Sequence, residues 1–518
     1  MQYRREIDGL RAVAVCSVIL YHADIEPFGG GFIGVDIFFV ISGFLIFGLI
    51  LEDLSSGNFS FSNFYRRRVK RILPALFLVI LCTTIAAYVI LIPQDFAAYC
   101  RSIIASSLFV PNLLFWKETG YFDRAAELKP LLHTWSLGVE EQFYAIFPIV
   151  LFLIYKWARR YLILFFGALA VLSLLLAEQW VLSKPAASFF LLPTRIWEFL
   201  CGGLLAILFC KRRALPPSKI VSEGLMGLGM VFIGVAVFTF DRSTPIPSAY
   251  LLVPIAGTML ILAFGEQETI VGSLLKSRLV VFLGLTSYST YLWHQPILAL
   301  ARYQSLAAPG SALIAYCLVA TFLIGFLSWR YFEVPIRRNH FAPNSKVFIV
   351  AFGISLVFVA FGSLGHLKKG FEAQYTASFD TRQQGVWNSF MSTDVPTGEC
   401  RYSLSKVTLD LRRFDDCRRR HGAAIVILGD SHAEDFFNAF LANSKAPFVL
   451  GVTKGGCRPH TPLPECDFEG IKRFISDSIA DIQTIFYVQT GMDFLLDKHN
   501  IPALPDFFSR NQKIGRAS

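Results

Sequence analysis

Arg11 and His22 interrupt an otherwise apolar run, and His133 precedes two adjacent carboxylates, Glu140 and Glu141, in the stretch from His133 to Tyr144. Ionisable groups at membrane depth are expensive, so they point to function before structure. An imidazole there can serve as a general base near neutral pH, and a guanidinium can hold an anionic group. Eleven helical steps separate Arg11 from His22 by roughly 16 Å along an axis, with Arg11 near one surface and His22 midway across or farther. A snorkelling Arg11 and a hydrogen-bonded core His22 explain the pair equally well when it is taken alone. Asp36 opens the next apolar run after Gly29-Gly30-Gly31, on the same side as His22. It can orient the His22 ring or raise its basicity, or simply favour a helix start through the dipole. Neighbouring carboxylates cannot share one helix face, so one of Glu140 and Glu141 points into the bundle. Arg195 and Glu198 have ion-pair spacing, and His294 reads as packing or as support for a neighbouring group.

The elements that must position these residues are membrane spans. Over 518 residues the hydrophobic fraction is 54 % and the charged fraction 17 %, with a mean hydropathy of +0.52, far from a soluble globular domain. At roughly 20 residues per crossing, about eleven spans are read, near 10–25, 34–52, 74–92, 141–156, 160–177, 191–210, 221–240, 249–264, 279–300, 311–329 and 347–366. The first lacks a small-residue cleavage site and is expected to be retained. With the N-terminus cytoplasmic, the basic clusters at Arg4/Arg5, Arg66–Arg71, Lys156–Arg160, Lys211–Arg213, Lys276/Arg278 and Arg330–Arg338 fall inside. This topology puts His133, Glu140 and Glu141 on the external side, and the odd number of spans sends the C-terminal part there too. The net charge of +10 is then a topology signal, and nucleic acid is not expected as a partner. The Arg66–Arg71 run is also the natural place for the phosphates of a nucleotide-bearing donor.

From about residue 380 charge rises and the long apolar runs stop. The run Ala423–Leu428 reads as a strand buried on both faces, followed by Gly429-Asp430-Ser431-His432 and a helix, and Ile485–Val488 reads as another buried strand, which favours a parallel-sheet α/β domain. Cys400, Cys417, Cys457 and Cys466 form an even set suited to disulfides. Proximity pairs Cys400 with Cys417 and Cys457 with Cys466, although four cysteines allow three connectivities. Close CxxC pairs are missing, so no metal site is expected.

Arg5-Glu6-Ile7-Asp8-Gly9-Leu10-Arg11, the Arg11/His22 spacing, Gly34-Val35-Asp36-Ile37-Phe38-Phe39, Arg68 with Arg71, the His133–Tyr144 stretch and Tyr291-Leu292-Trp293-His294 resemble the acyltransferase 3 family of membrane O-acyltransferases. The resemblance covers roughly residues 1–340. A further span and linker follow over 341–379, and residues 380–518 resemble the SGNH hydrolase-like domain fused to many members. The fold class expected is therefore a polytopic α-helical membrane protein with a truncated external α/β domain.

The resemblance implies acetyl transfer from cytoplasmic acetyl-CoA, without a metal, onto a hydroxyl of a cell-surface polysaccharide. Lipopolysaccharide O-antigen is the favoured acceptor and peptidoglycan the alternative, at a bacterial inner membrane with the C-terminal domain periplasmic. Arg11, Arg68 and Arg71 would hold the donor. His22, supported by Asp36, His133 and Glu140 or Glu141, would activate the acceptor or transiently receive the acyl group. In the second domain the resemblance makes Ser431 the nucleophile beside Asp430, with its own N–H and Gly455 or Gly456 as oxyanion donors. The late Asp-x-x-His pair of that family has no counterpart after Ser431. His460 and His499 are the remaining candidates, and Asp497 is one residue too close to His499. An external esterase with a membrane anchor and a non-enzymatic polysaccharide exporter are the competing readings.

Overall fold

The computed structural model describes residues 3–118, 126–211, 218–265, 269–305, 309–338 and 344–380, and in the C-terminal part 383, 387, 399–404, 411–429, 433, 436–438, 440–441, 444–453, 477–488 and 514–516. The chain divides into two compact units, Met1–Glu372 and Ala373–Ser518.

The first unit is helical. In chain order it comprises α1 (Arg5–His22), α2 (Gly34–Ser55), α3 (Phe61–Ile90), α4 (Pro93–Ser107), α5 (Pro111–Glu118), α6 (Thr134–Ala158), α7 (Leu162–Ser183), α8 (Pro185–Phe190), α9 (Ile196–Lys211), α10 (Lys219–Thr239), α11 (Leu252–Phe264), α12 (Ile270–Leu275), α13 (Arg278–Gln304), α14 (Ser311–Ser328), α15 (Val334–Arg338) and α16 (Asn344–Leu367). Each of the eleven apolar runs falls on one of these helices. Among the described residues, six helical stretches are long and apolar enough to cross a membrane; one, Thr134–Ser183, joins α6 to α7. The outward faces carry bare apolar side chains such as Leu172 and Leu175 on α7, Val319 and Leu323 on α14 and Phe352 and Val357 on α16. Apolar faces left bare in this way suit lipid rather than water.

Of the boundaries that differ from the expected spans, two matter for the site. α6 begins at Thr134, not near residue 141, because the Thr134 hydroxyl bonds the Leu131 carbonyl at 2.7 Å and Ser106 at 2.9 Å. Glu140 therefore lies within the helix, about 9 Å beyond its first residue. α3 begins at Phe61, with Ser60 accepting from the Asn63 amide, so the basic run lies on a helix and not in a loop.

Glycine sets the closest helix crossings. On α2 and α9, a Cβ at Gly43 or Gly202 would overlap the Phe199 or Val40 carbonyl; backbone contact of this kind is how helices associate without a hydrophobic driving force. Gly284 does the same for α13 against the Asp8 carbonyl of α1. Those two helices run parallel, since His22 meets His294 farther along.

The second unit holds a parallel five-stranded sheet of order β1-β3-β2-β4-β5, with β1 Arg401–Leu404, β2 Ala424–Gly429, β3 Val449–Thr453, β4 Ile482–Val488 and β5 Ile514–Arg516. Val426, Ile427 and Leu428 of β2 are buried, as the continuous apolar run predicts. Phe437 and Leu441 close one face over Ile427 and Val449. Cys400 and Cys417 form a disulfide.

Candidate functional site

Two cavities of the helical unit hold residues singled out in the sequence. The first, about 80 Å³, is lined by Arg11 of α1, Ser42 of α2, Arg68 and Arg71 of α3, Ser136, Glu140 and Tyr144 of α6, and Tyr288 and Tyr291 of α13. Arg68 and Arg71 reach it together because residues three apart share a helix face. Arg67 takes the other side and pairs with Asp53 at 3.0 Å. Glu140 accepts hydrogen bonds from the Ser42 hydroxyl at 2.5 Å and from the Tyr144 hydroxyl. The Arg68 guanidinium lies 4.8 Å from the centre of the Tyr144 ring. Asp8 contacts Arg11 at 3.3 Å. Among the described residues lining the cavity, three guanidinium groups stand against one carboxylate, which makes an anion-binding surface.

The second cavity, about 670 Å³, is lined by His22 and Asp24, by Asp36, Trp135, Phe189 and Arg195, by Arg242 and by Gln295. Arg195 is 2 % exposed. Its Nη1 donates to Asp36 at 2.8 Å and to Glu198 at 2.9 Å, its Nε to the Phe189 carbonyl at 3.2 Å, and its plane lies over Trp135 and Phe189. At the cavity rim Asp24 receives Arg242 at 2.5 Å and Arg302 at 2.7 Å. In the loop beside them, the Ser243 hydroxyl and amide, with help from Thr244, hold the exposed Asp241 carboxyl below its usual range.

Among the described residues, Val35 and Tyr291 are the two that line both cavities. Behind Tyr291 three histidines cluster. The His22 and His294 rings are 5.1 Å apart and those of His133 and His294 5.3 Å, centre to centre. His294 Nε2 lies 3.2 Å from His22 Nδ1. His133 is 3 % exposed, and among the described residues neither of its ring nitrogens has a hydrogen-bond partner of standard geometry.

The residues singled out in the sequence thus divide. Arg11, Arg68, Arg71 and Glu140 share the arginine cavity, whereas His22 and Asp36 share the histidine cavity. Glu140 faces the arginines because α6 starts early and carries it past the histidine cluster. Glu141 lines neither cavity, and among the described residues its buried Oε1 has no hydrogen-bond partner. The Asp36 carboxylate is bound to Arg195; the His22 ring meets His294, with the Val18 backbone carbonyl one turn back on α1 also beside it. Asp430, Ser431, Gly455, Gly456, Cys457 and Cys466 lie outside the described residues. Sequence reasoning missed Tyr291, Tyr144 and Ser42, and it understated His294. The available signal was the polar side of α13, where Ser287, Tyr288, Tyr291 and His294 recur at helical spacing.

A family model described as an acyltransferase domain matches residues 4–330. The O-acetyltransferase OatA of Staphylococcus aureus is 30 % identical over 397 residues, 72 % of this chain and 65 % of its own length. A second, provisionally named O-acetyltransferase of Staphylococcus aureus is 30 % identical over 93 % of this chain and 83 % of its own. The provisionally named peptidoglycan O-acetyltransferase YrhL of Bacillus subtilis is 33 % identical over 67 % of this chain and 57 % of its own. The chain therefore spans just under two thirds of OatA. No solved structure matches it.

Proposed function

The chain belongs to the acyltransferase 3 family, and from that premise we propose that it is a membrane O-acetyltransferase that moves an acetyl group from cytoplasmic acetyl-CoA to a hydroxyl of a cell-wall glycan. The observation that carries this reading is the pair of cavities, one basic and one bearing His22, that back onto Val35 and Tyr291. Arg11, Arg68 and Arg71 hold the donor's phosphates, and the long thioester arm reaches between Val35 and Tyr291. On the far side His22 takes the proton of the acceptor hydroxyl as its oxygen attacks the thioester carbonyl. The C–S bond breaks, and the departing thiolate recovers the proton from His22. Trp135 and Phe189 offer aromatic faces for a sugar ring, with Asp24, Arg242 and Gln295 as polar contacts.

Peptidoglycan replaces O-antigen as the favoured acceptor, since YrhL is named for peptidoglycan O-acetylation and nothing in the comparisons supports O-antigen. The arginine cavity facing the cytoplasm and the C-terminal unit lying outside follow from the distribution of basic residues. Ser431 follows the central strand β2 in the chain, the position at which parallel α/β sheets carry ligands. We assign it, beside Asp430, to a later handling of the acyl group in an SGNH-like domain.

The test is the O-acetyl content of muropeptides, measured by mass spectrometry in cells with and without the gene and with His22→Ala at equal protein level. Loss of O-acetyl groups in both the deletion and the variant is expected. Unchanged O-acetylation in the His22→Ala cells excludes the mechanism, and unchanged peptidoglycan with altered O-acetyl groups on another glycan moves the acceptor.

A further inference from the structure

We propose that His294 is a positioning residue: it fixes His22 in the tautomer that carries its proton on Nδ1, leaving Nε2 as the basic nitrogen of the ring that lines the histidine cavity. His294 Nδ1 is hydrogen-bonded to the backbone carbonyl of Tyr291, one turn earlier on α13. A carbonyl oxygen only accepts, so Nδ1 of His294 carries a hydrogen. His294 is wholly buried, and among the described residues no carboxylate is bonded to it. A second proton would leave an unpaired charge in an apolar surround, which is costly. His294 is therefore neutral and its Nε2 holds a lone pair. That nitrogen lies 3.2 Å from His22 Nδ1, so His22 Nδ1 is the donor.

The neighbouring contacts hold this arrangement. The Tyr291 hydroxyl bonds Ser136 at 2.7 Å and the His133 carbonyl at 3.1 Å, tying α13 to the start of α6. Arg302, also on α13, donates to the backbone carbonyl of His22 and to Asp24, which pins the end of α1. Gly284 allows the close approach of α1 and α13 that brings the two rings together. The fixed hydrogen-bond partner of one imidazole nitrogen decides what the other can do. For the catalytic role this inference rests on the proposed acetyl transfer; for the tautomer it does not.

The test has two readouts. The full-length protein, with isotope-labelled histidine and in lipid nanodiscs, is studied by NMR, where ring nitrogen and carbon shifts distinguish the two tautomers. The signals of His22 and His294 are identified by their loss in His22→Ala and His294→Gln. His22 is expected with its proton on Nδ1 in the native protein. In His294→Gln, where the side-chain carbonyl can replace the Nε2 lone pair, it keeps that form, and in His294→Leu it moves to the Nε2 form. Turnover of acetyl-CoA with peptidoglycan fragments is expected to fall about 10- to 100-fold in His294→Leu at unchanged KM for acetyl-CoA, and to be largely restored in His294→Gln. A native His22 protonated on Nε2, or a His22 tautomer indifferent to His294→Leu, overturns the inference. If the Leu variant does not accumulate, loss of the Nδ1 form in His294→Gln overturns it instead. Failure of the functional reading looks different: the expected tautomers in a protein that transfers no acetyl group.

Discussion

Val35 of α2 and Tyr291 of α13 are shared by the arginine and histidine cavities. They are where the two cavities come together among the described residues, so the proposed transfer from one to the other runs past them. Val35→Trp adds bulk at this septum without touching an arginine or His22. Acetyl transfer is expected to fall at least about tenfold, on the scale of overpacking a close-fitted site. Acetyl-CoA binding, measured by isothermal titration on the solubilised protein, is expected to stay within a factor of about two, roughly 0.4 kcal/mol. Equal losses of binding and turnover would show that the cavities do not lie in series.

Arg68 combines charge with a planar face laid on Tyr144. Arg68→Lys keeps the charge but loses both the fork of donors and the stacking, so it is not conservative here. Arg68→Ala is expected to weaken acetyl-CoA binding by about 1.5–3 kcal/mol, the worth of a hydrogen bond to a charged group, and Arg68→Lys to recover only part of it. Dephospho- and phosphorylated forms of coenzyme A in the same titration show whether phosphate is what Arg68 senses. An unchanged affinity in Arg68→Ala removes it from the donor site.

In the second unit the Cys400–Cys417 disulfide closes a sequence separation of 17 residues. A loop of that length corresponds to about 3 kcal/mol of stabilisation in the chain-entropy account. The paired Cys400→Ser and Cys417→Ser variant is expected to be cut by trypsin within this unit under conditions where the native chain resists. Because no residue of the helical unit takes part, acetyl-CoA binding should be unaffected.

Much of this was legible in the sequence. Apolar runs of about 20 residues announce helices by length alone, and all eleven fall on helices. The continuous Ala423–Leu428 run marked the central strand β2. Helix starts were less visible: the early start of α6 depends on Thr134 meeting Leu131 and Ser106, and Ser106 lies on another helix. That shift took Glu140 from His22 to Arg68. The partner of Asp36 was equally hidden, because Arg195 is 159 positions away. His294 sat in a recognisable motif, yet only the parallel packing of α1 and α13 shows that it touches His22.

The Asp36–Arg195–Glu198 cluster brings two carboxylates to one guanidinium in a buried site. Removing the shared cation leaves both carboxylates without their partner, and breaking a buried pair in this way costs about 3–5 kcal/mol. Arg195→Met should therefore lower the thermal unfolding midpoint strongly, measured by intrinsic fluorescence of the detergent-solubilised chain. The combination Arg195→Met with Asp36→Asn and Glu198→Gln removes the stranded charges and should recover most of the loss. Trp135 and Phe189, against which Arg195 lies, line the histidine cavity. If the cluster shapes the acceptor side, the triple variant regains stability while its KM for the glycan acceptor stays raised and its KM for acetyl-CoA remains native. Recovery of the stability and of the glycan KM together would make the cluster a packing device alone.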